Sequence, residues 1–165
     1  MAFKKEKDSD KKENYTGAIV LGLNDALVEL SGALVGLTFA IGSSRLIATV
    51  GLITGFAAAL SMGASEYLSA KEEKKQSPLK ASFYTGLAYI ITVLILVSPY
   101  LLLENKYFAA GVMGALAVAI IAIYTKYDSV VHKESFRRKF TEMFAISFSV
   151  AVISFAFGLL VRKLV

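Results

Sequence analysis

The sequence predicts an all-α membrane protein of five transmembrane helices, with its N-terminus in the cytoplasm and its C-terminus outside. Three observations predict it. The 165 residues are 56% hydrophobic and 19% charged, with a mean hydropathy of +0.60, whereas a soluble domain is nearer half apolar and a quarter charged. The apolar residues fall in five segments, each of about 20 residues, the length that crosses a hydrocarbon core of about 30 Å as a helix. The basic residues are divided very unevenly among the connections.

The spans are placed at residues 16–41, 46–70, 81–103, 107–125 and 143–161, together one membrane domain over 14–165. In lipid the backbone has no water to bond, so these segments are expected as helices. The alternation of a membrane barrel strand is absent. The first segment counts as a span although it carries Asp25 and Glu29, because residues 17–23 and 30–42 around the acids are apolar. Residues 1–13 are polar, do not read as a secretory leader, and are expected to be a disordered charged tail. Too few residues lie outside the apolar runs to build a second folded domain.

Orientation follows from Lys and Arg. One side collects Lys4, Lys5, Lys7, Lys11 and Lys12 of the tail. It adds Lys71, Lys74, Lys75 and Lys80 after the second span, and Lys126, Lys133, Arg137, Arg138 and Lys139 after the fourth. The other side has Arg45, Lys106, Arg162 and Lys163. The positive-inside rule puts the richer side in the cytoplasm. The net charge of +5 therefore reports orientation, not a nucleic-acid partner.

The connections are short at Gly42–Arg45 and Glu104–Lys106, so spans one and two, and three and four, are expected as hairpins. Pro78 suits the first turn of span three, and Pro99 marks a kink site near its outer end. Residues 127–140 set apolar residues beside basic ones. They read either as a helix on the membrane surface or as a polar continuation of span four.

Several chemistries are excluded. No cysteine is present, so disulfides, thiolate metal sites and Cys nucleophiles are impossible. One histidine rules out a multi-His site in one chain. There is no phosphate-binding Gly-Lys-Ser/Thr loop and no nucleophile–base constellation, so neither an enzyme nor a bound cofactor is expected.

The chemistry that remains lies in the first two spans. Asp25 and Glu29 are four residues apart and share a helix face. Asp25 is roughly 14 Å into its span at 1.5 Å per residue, near mid-membrane. A carboxylate there costs several kcal/mol unless it meets a partner, water or an ion. The pair reads as an ion or proton site, or else as groups that only bond other helices. Span two carries Met62 and Glu66, again four apart, with Glu66 placed near enough to the cytoplasmic end to reach water. Met62 is a soft thioether suited to softer divalent ions, although a lone Met in an apolar helix is usually core packing. Gly32 and Gly36 in span one, and Gly51 and Gly55 in span two, form small-xxx-small patterns that let helices approach closely. With Asn24 they are candidates for the pathway or for helix packing. A homodimer packed through these spans is expected, because one chain supplies few ligands. Spans three to five carry no embedded acid and read as scaffold. Asp128, His132 and Glu134 form a weaker cluster, which the neighbouring Lys133 and Arg137 make read as solvated charge.

Gly22-Leu23-Asn24-Asp25-Ala26-Leu27-Val28 resembles the first-helix signature of the vacuolar iron transporter family, where Asn-Asp-Gly-Leu-Val or Ser-Asp-Gly-Leu is typical. The run AALSMGASEYLS, from Ala58 to Ser69, resembles its second helix. Pro78-Leu79-Lys80-Ala81 and Phe157-Gly158-Leu159-Leu160 also fit, and the resemblance extends over residues 15–165. It implies a homodimeric transporter that exports Fe²⁺, often also Mn²⁺, from the cytosol in exchange for protons. It further implies a path lined by the first helix, with Asp25 and Met62 as metal contacts. Ala26 stands where that family usually has Gly, and Leu52–Phe56 lacks an acid that its second helix can carry. Plant-type members have a long Glu-rich insert after the second helix. Only residues 71–80 fill that place here, with Glu72 and Glu73 at most a remnant of the metal-collecting domain.

The expected partners are thus the bilayer, divalent metal ions, protons and a second copy, and the expected location is a prokaryotic plasma membrane. The competing reading is a non-transporting scaffold or anchor, with the acids as interhelical glue and the basic loops as a docking surface. A transporter of organic cations is a third reading.

Overall fold

The computed structural model describes residues 15–74 and 77–164, the side chain of His132 excepted, so the tail at 1–13, Lys75 and Val165 lie outside the described residues. Among the described residues five helices follow one another: α1 Thr16–Ala40, α2 Ser44–Glu72, α3 Pro78–Leu102, α4 Lys106–His132 and α5 Phe136–Leu164. All five are long and apolar enough to cross a membrane, and no strand occurs among the described residues. The shortest would span about 37 Å at 1.5 Å per residue, more than the ~30 Å hydrocarbon core.

Local signals set the ends. The Ser43 side chain accepts from Leu46 N at 3.4 Å to cap α2. Asn105 Oδ1 accepts from Tyr107 N at 3.0 Å and Phe108 N at 3.2 Å to cap α4. Pro78 opens α3, where its missing N–H costs nothing. Pro99 lies inside α3 and cannot donate to the Ile95 carbonyl. The Ser98 hydroxyl donates to that carbonyl instead, at 2.8 Å, and the helix runs on to Leu102.

Of the two readings of residues 127–140, the structure has the continuation of span four and no separate surface helix. Residues through His132 continue α4, Lys133 ends it in a left-handed conformation with φ 54°, and α5 begins at Phe136. The Glu134 N–H closes that turn on the Ser129 carbonyl at 3.1 Å. Helical backbone bonds are made locally, so the helices extend past the apolar runs wherever residues favour them.

The hairpin of spans one and two also packs differently from the chain order. α1 makes few contacts with α2. Its N-terminal half lies on α3 and its C-terminal half on α5, while α2 and α3 form the most extensive pair. The glycines show why. A Cβ on Gly22 would overlap the Thr85 carbonyl of α3, and one on Gly158 of α5 would overlap the Gly36 carbonyl of α1. These backbones touch because no side chain intervenes, which is how membrane helices gain close dispersion contact. Thr85 Oγ1 adds a bond to the Ala18 carbonyl at 3.0 Å, and Phe39 meets Phe155 edge-on at 4.5 Å. Ser82 of α3 donates to the Gly63 carbonyl of α2 at 2.6 Å. The apolar core between α1, α2, α3 and α4 includes Leu27, Leu34, Ile47, Val93, Leu96 and Met113.

Candidate functional site

The middle of α1 is not regular α-helix. Residues Ala26–Leu30 form one wide π turn, bounded by Asp25 and Ser31. Such single-turn bulges recur at functional sites, because they release backbone groups from the usual ladder. Here the Ser31 hydroxyl bonds the Leu27 carbonyl inside the bulge. No Pro or Gly lies in the turn, so the sequence carried no sign of it.

The wide turn keeps Asp25 and Glu29 on one side, close enough for their carboxyl groups to interact. From α3, the Tyr89 hydroxyl donates to Glu29 Oε2 at 3.0 Å. Tyr89 is 1% exposed, wedged into the core. Glu29 itself is exposed on the single chain, and Asp25 is half-buried.

Glu29 and Tyr89 open onto a cavity of about 660 Å³ between α1, α2 and α5, lined also by Gly36, Thr54, Ser154 and Phe157. The cavity exists because α1 leans on α3 and α5 and leaves α2 at a distance. Its volume equals roughly twenty waters at about 30 Å³ each, so a hydrated cation fits. Its walls are mostly apolar, and Glu29 is the one acid that lines it among the described residues.

A second polar contact lies next to the first. Asn24 lies beside the Tyr124 side chain of α4, and Asn24 Oδ1 is buried with no partner among the described residues. One turn beyond Tyr124, Asp128 pairs with Lys139 of α5, and Lys139 also reaches Glu134 at 3.5 Å. Asp128 and Glu134, weighed as a metal cluster with His132, thus share a cation.

Met62 and Glu66 occupy α2 away from the cavity lining. Met62 is half-buried against the apolar core. Glu66 does not stand in water, as its place near the end of the span suggested. It is 7% exposed, because it continues the small-residue face of Gly55, Ala59 and Gly63 that is buried. Glu72 and Glu73 are exposed at the end of α2, and Ser69 donates to Glu73 at 3.1 Å.

The glycines face neighbours within the chain. A Cβ on Gly32 would stand 2.7 Å from Val150 Cγ1, and one on Gly36 2.9 Å from the Ser154 carbonyl, both of α5. Gly51 faces Leu34 and Val97, and Gly55 faces Val93. Gly32 and Gly36 therefore pack closely against α5 of the same chain.

Helices α3 and α4 are more than scaffold, since they bring Tyr89 to Glu29 and Tyr124 to Asn24. A phenol within an apolar span was the available signal, because a buried Tyr hydroxyl normally finds a partner. Nothing local says which partner it finds.

No curated protein matches the chain. The model of the VIT family, the vacuolar iron transporters, matches residues 16–77, a stretch that runs from the start of α1 through the end of α2. The match covers the two helices that carry Asp25, Glu29, Met62 and Glu66.

Proposed function

We propose that this protein is an integral membrane transporter that moves a divalent transition-metal ion, Fe²⁺ or Mn²⁺, out of the cytosol against a counterflow of protons. The observation that carries the reading is a pair of neighbouring carboxyls halfway along α1, one of which, Glu29, lines a cavity that fits a hydrated ion, in a segment that the family model matches.

The physical basis of exchange is competition. Two neighbouring carboxylates cannot both stay charged without cost. Either a proton or a cation between them relieves the repulsion, so an arriving cation expels the proton. Met62 and Glu66 continue along α2 toward the basic side, which the positive-inside rule assigns to the cytoplasm. They are proposed as further contacts on the route, the thioether favouring the softer ions. The metal is cargo, and no resident cofactor is invoked.

A second copy completes the site. Glu29 is exposed in the single chain at a depth where lipid would otherwise meet a carboxyl, which is costly. A homodimer that closes the mouth of the cavity removes that cost, with an interface made by the rims of α1, α2 and α5.

The test is metal flux into proteoliposomes with and without a pH gradient. Wild type is expected to move Mn²⁺ and Fe²⁺ faster with the gradient. Asp25→Asn keeps the side-chain shape and is expected to drop flux to background while the protein still assembles. Normal gradient-driven flux in Asp25→Asn would rule the mechanism out.

A further inference from the structure

Glu29 is held by a residue from another helix, and that restraint bears on which ions the site accepts. Tyr89 Oη donates to Glu29 Oε2 at 3.0 Å. The phenol ring is 1% exposed and belongs to the buried core with Val93 and Leu96, so its hydroxyl has a fixed position. One carboxylate oxygen is engaged by a rigid donor, which holds the carboxyl group in one orientation.

We propose that Tyr89 is a positioning residue that sets ion selectivity, by holding Glu29 so that it offers a cation one oxygen instead of two. The inference rests on the metal-ion reading of the Asp25–Glu29 site but does not need transport itself to occur. Its chemistry is oxygen count. Ca²⁺ takes six to eight oxygens and gains them readily from bidentate carboxylates, whereas Mg²⁺ keeps octahedral geometry and binds carboxylates with several waters retained. A carboxylate pinned at one oxygen makes the site poor in ligands for Ca²⁺. It costs a six-coordinate transition ion little. Glu29 is the only acidic lining residue among the described residues, and the other side-chain oxygens of the lining are the hydroxyls of Thr54, Tyr89 and Ser154. The denticity of Glu29 therefore weighs heavily in what binds.

The surroundings support a positioning role more than a packing role alone. Tyr89→Phe would keep the ring in the core, yet it would free the carboxyl to rotate. The π turn that carries Glu29 is bounded by groups that already bond elsewhere, with the Ser31 hydroxyl on the Leu27 carbonyl. Tyr89 is the one hydrogen-bond donor from another helix that reaches Glu29 among the described residues.

The experiment measures Mn²⁺ binding to the full chain in lipid nanodiscs, by loss of the free-ion paramagnetic resonance signal, in competition with Ca²⁺ and Mg²⁺. In wild type, Ca²⁺ is expected to displace Mn²⁺ far more weakly than Co²⁺ does. In Tyr89→Phe, the Ca²⁺ concentration needed to displace half the Mn²⁺ is expected to fall about tenfold, the order of one charge-assisted contact. The Mg²⁺ midpoint is expected to stay in place, because Mg²⁺ has no use for the second oxygen. A parallel change for Ca²⁺ and Mg²⁺ would mean that the pocket has merely loosened, and would overturn the proposal. So would an unchanged Ca²⁺ midpoint. If Tyr89→Phe does not fold, wild type alone still decides, since Ca²⁺ competing as well as Co²⁺ would overturn it. Binding that persists with no flux would count against transport and leave the Tyr89 inference standing.

Discussion

The hydroxyls of Thr38 on α1 and Tyr100 on α3 meet at 2.7 Å, both side chains fully buried. Thr38 Oγ1 gives its one hydrogen to the Leu34 carbonyl at 2.7 Å, so Tyr100 is the donor between them. Ser44 Oγ ties the Tyr100 carbonyl to the start of α2 at 2.9 Å, and Lys106 Nζ bonds the Ile41 carbonyl at 2.7 Å. These contacts close the end of the bundle opposite the basic connections. Apolar packing alone would not specify that end, because lipid is as apolar as the helices.

The bond predicts an asymmetry. Tyr100→Phe leaves Thr38 still bonded to Leu34 and is expected to cost about 0.6 to 1.7 kcal/mol, the span of interhelical bonds in membranes. Thr38→Val strands the buried Tyr100 hydroxyl and is expected to cost more. Unfolding titrations in mixed detergent check the order, and equal losses would contradict the donor assignment.

Gly158 predicts a contrast between glycines. A Cβ there would overlap the Gly36 carbonyl, so Gly158→Ala is expected to destabilise the chain by about 1–3 kcal/mol, as overpacking does. At Gly111 and Gly114 a Cβ would meet nothing within 4 Å, and their change to Ala is expected to stay within about 0.5 kcal/mol. Gly32→Leu should likewise part α1 from α5 and lower the melting temperature of the protomer, besides any effect on association. Thermal melts of the purified variants in one detergent compare all four.

Asp128 and Lys139 join the cytoplasm-assigned ends of α4 and α5. Asp128→Lys and Lys139→Asp singly are expected to lower the melting temperature, and the double exchange to recover it. A double exchange as unstable as the single ones would show that the attraction between the two charges is not what matters there.

Topology can be read on a chain that has no cysteine of its own. Ser77→Cys, before α3, is expected to react with an impermeant reagent from the cytoplasmic side. Glu104→Cys, in the exposed turn before α4, is expected to react from the outer side. Labelling of both from one face would defeat the five-span orientation.

Five spans and the position of the acids were legible because the signals are local. Lipid forces an apolar run of sufficient length to become a helix, whatever surrounds it, and Asp25 and Glu29 are adjacent on any helix, α or π. The sequence by itself therefore determined the helical membrane architecture, the close pair of acids and the charge asymmetry of the connections. Only the tertiary structure decided the partners. A small-residue stripe at Gly32 and Gly36 announces close approach but not the approaching helix, which proved to be α5. Glu66 read as water-facing by its distance along the span, yet its angle around α2 puts it in the buried face. The π turn has no residue that demands it. Tyr89 lies 60 residues from Glu29, and a phenol in an apolar helix is compatible with several acceptors until packing selects one. Depth and charge are properties of a segment, whereas contact depends on how all five segments share a limited number of close-packed faces.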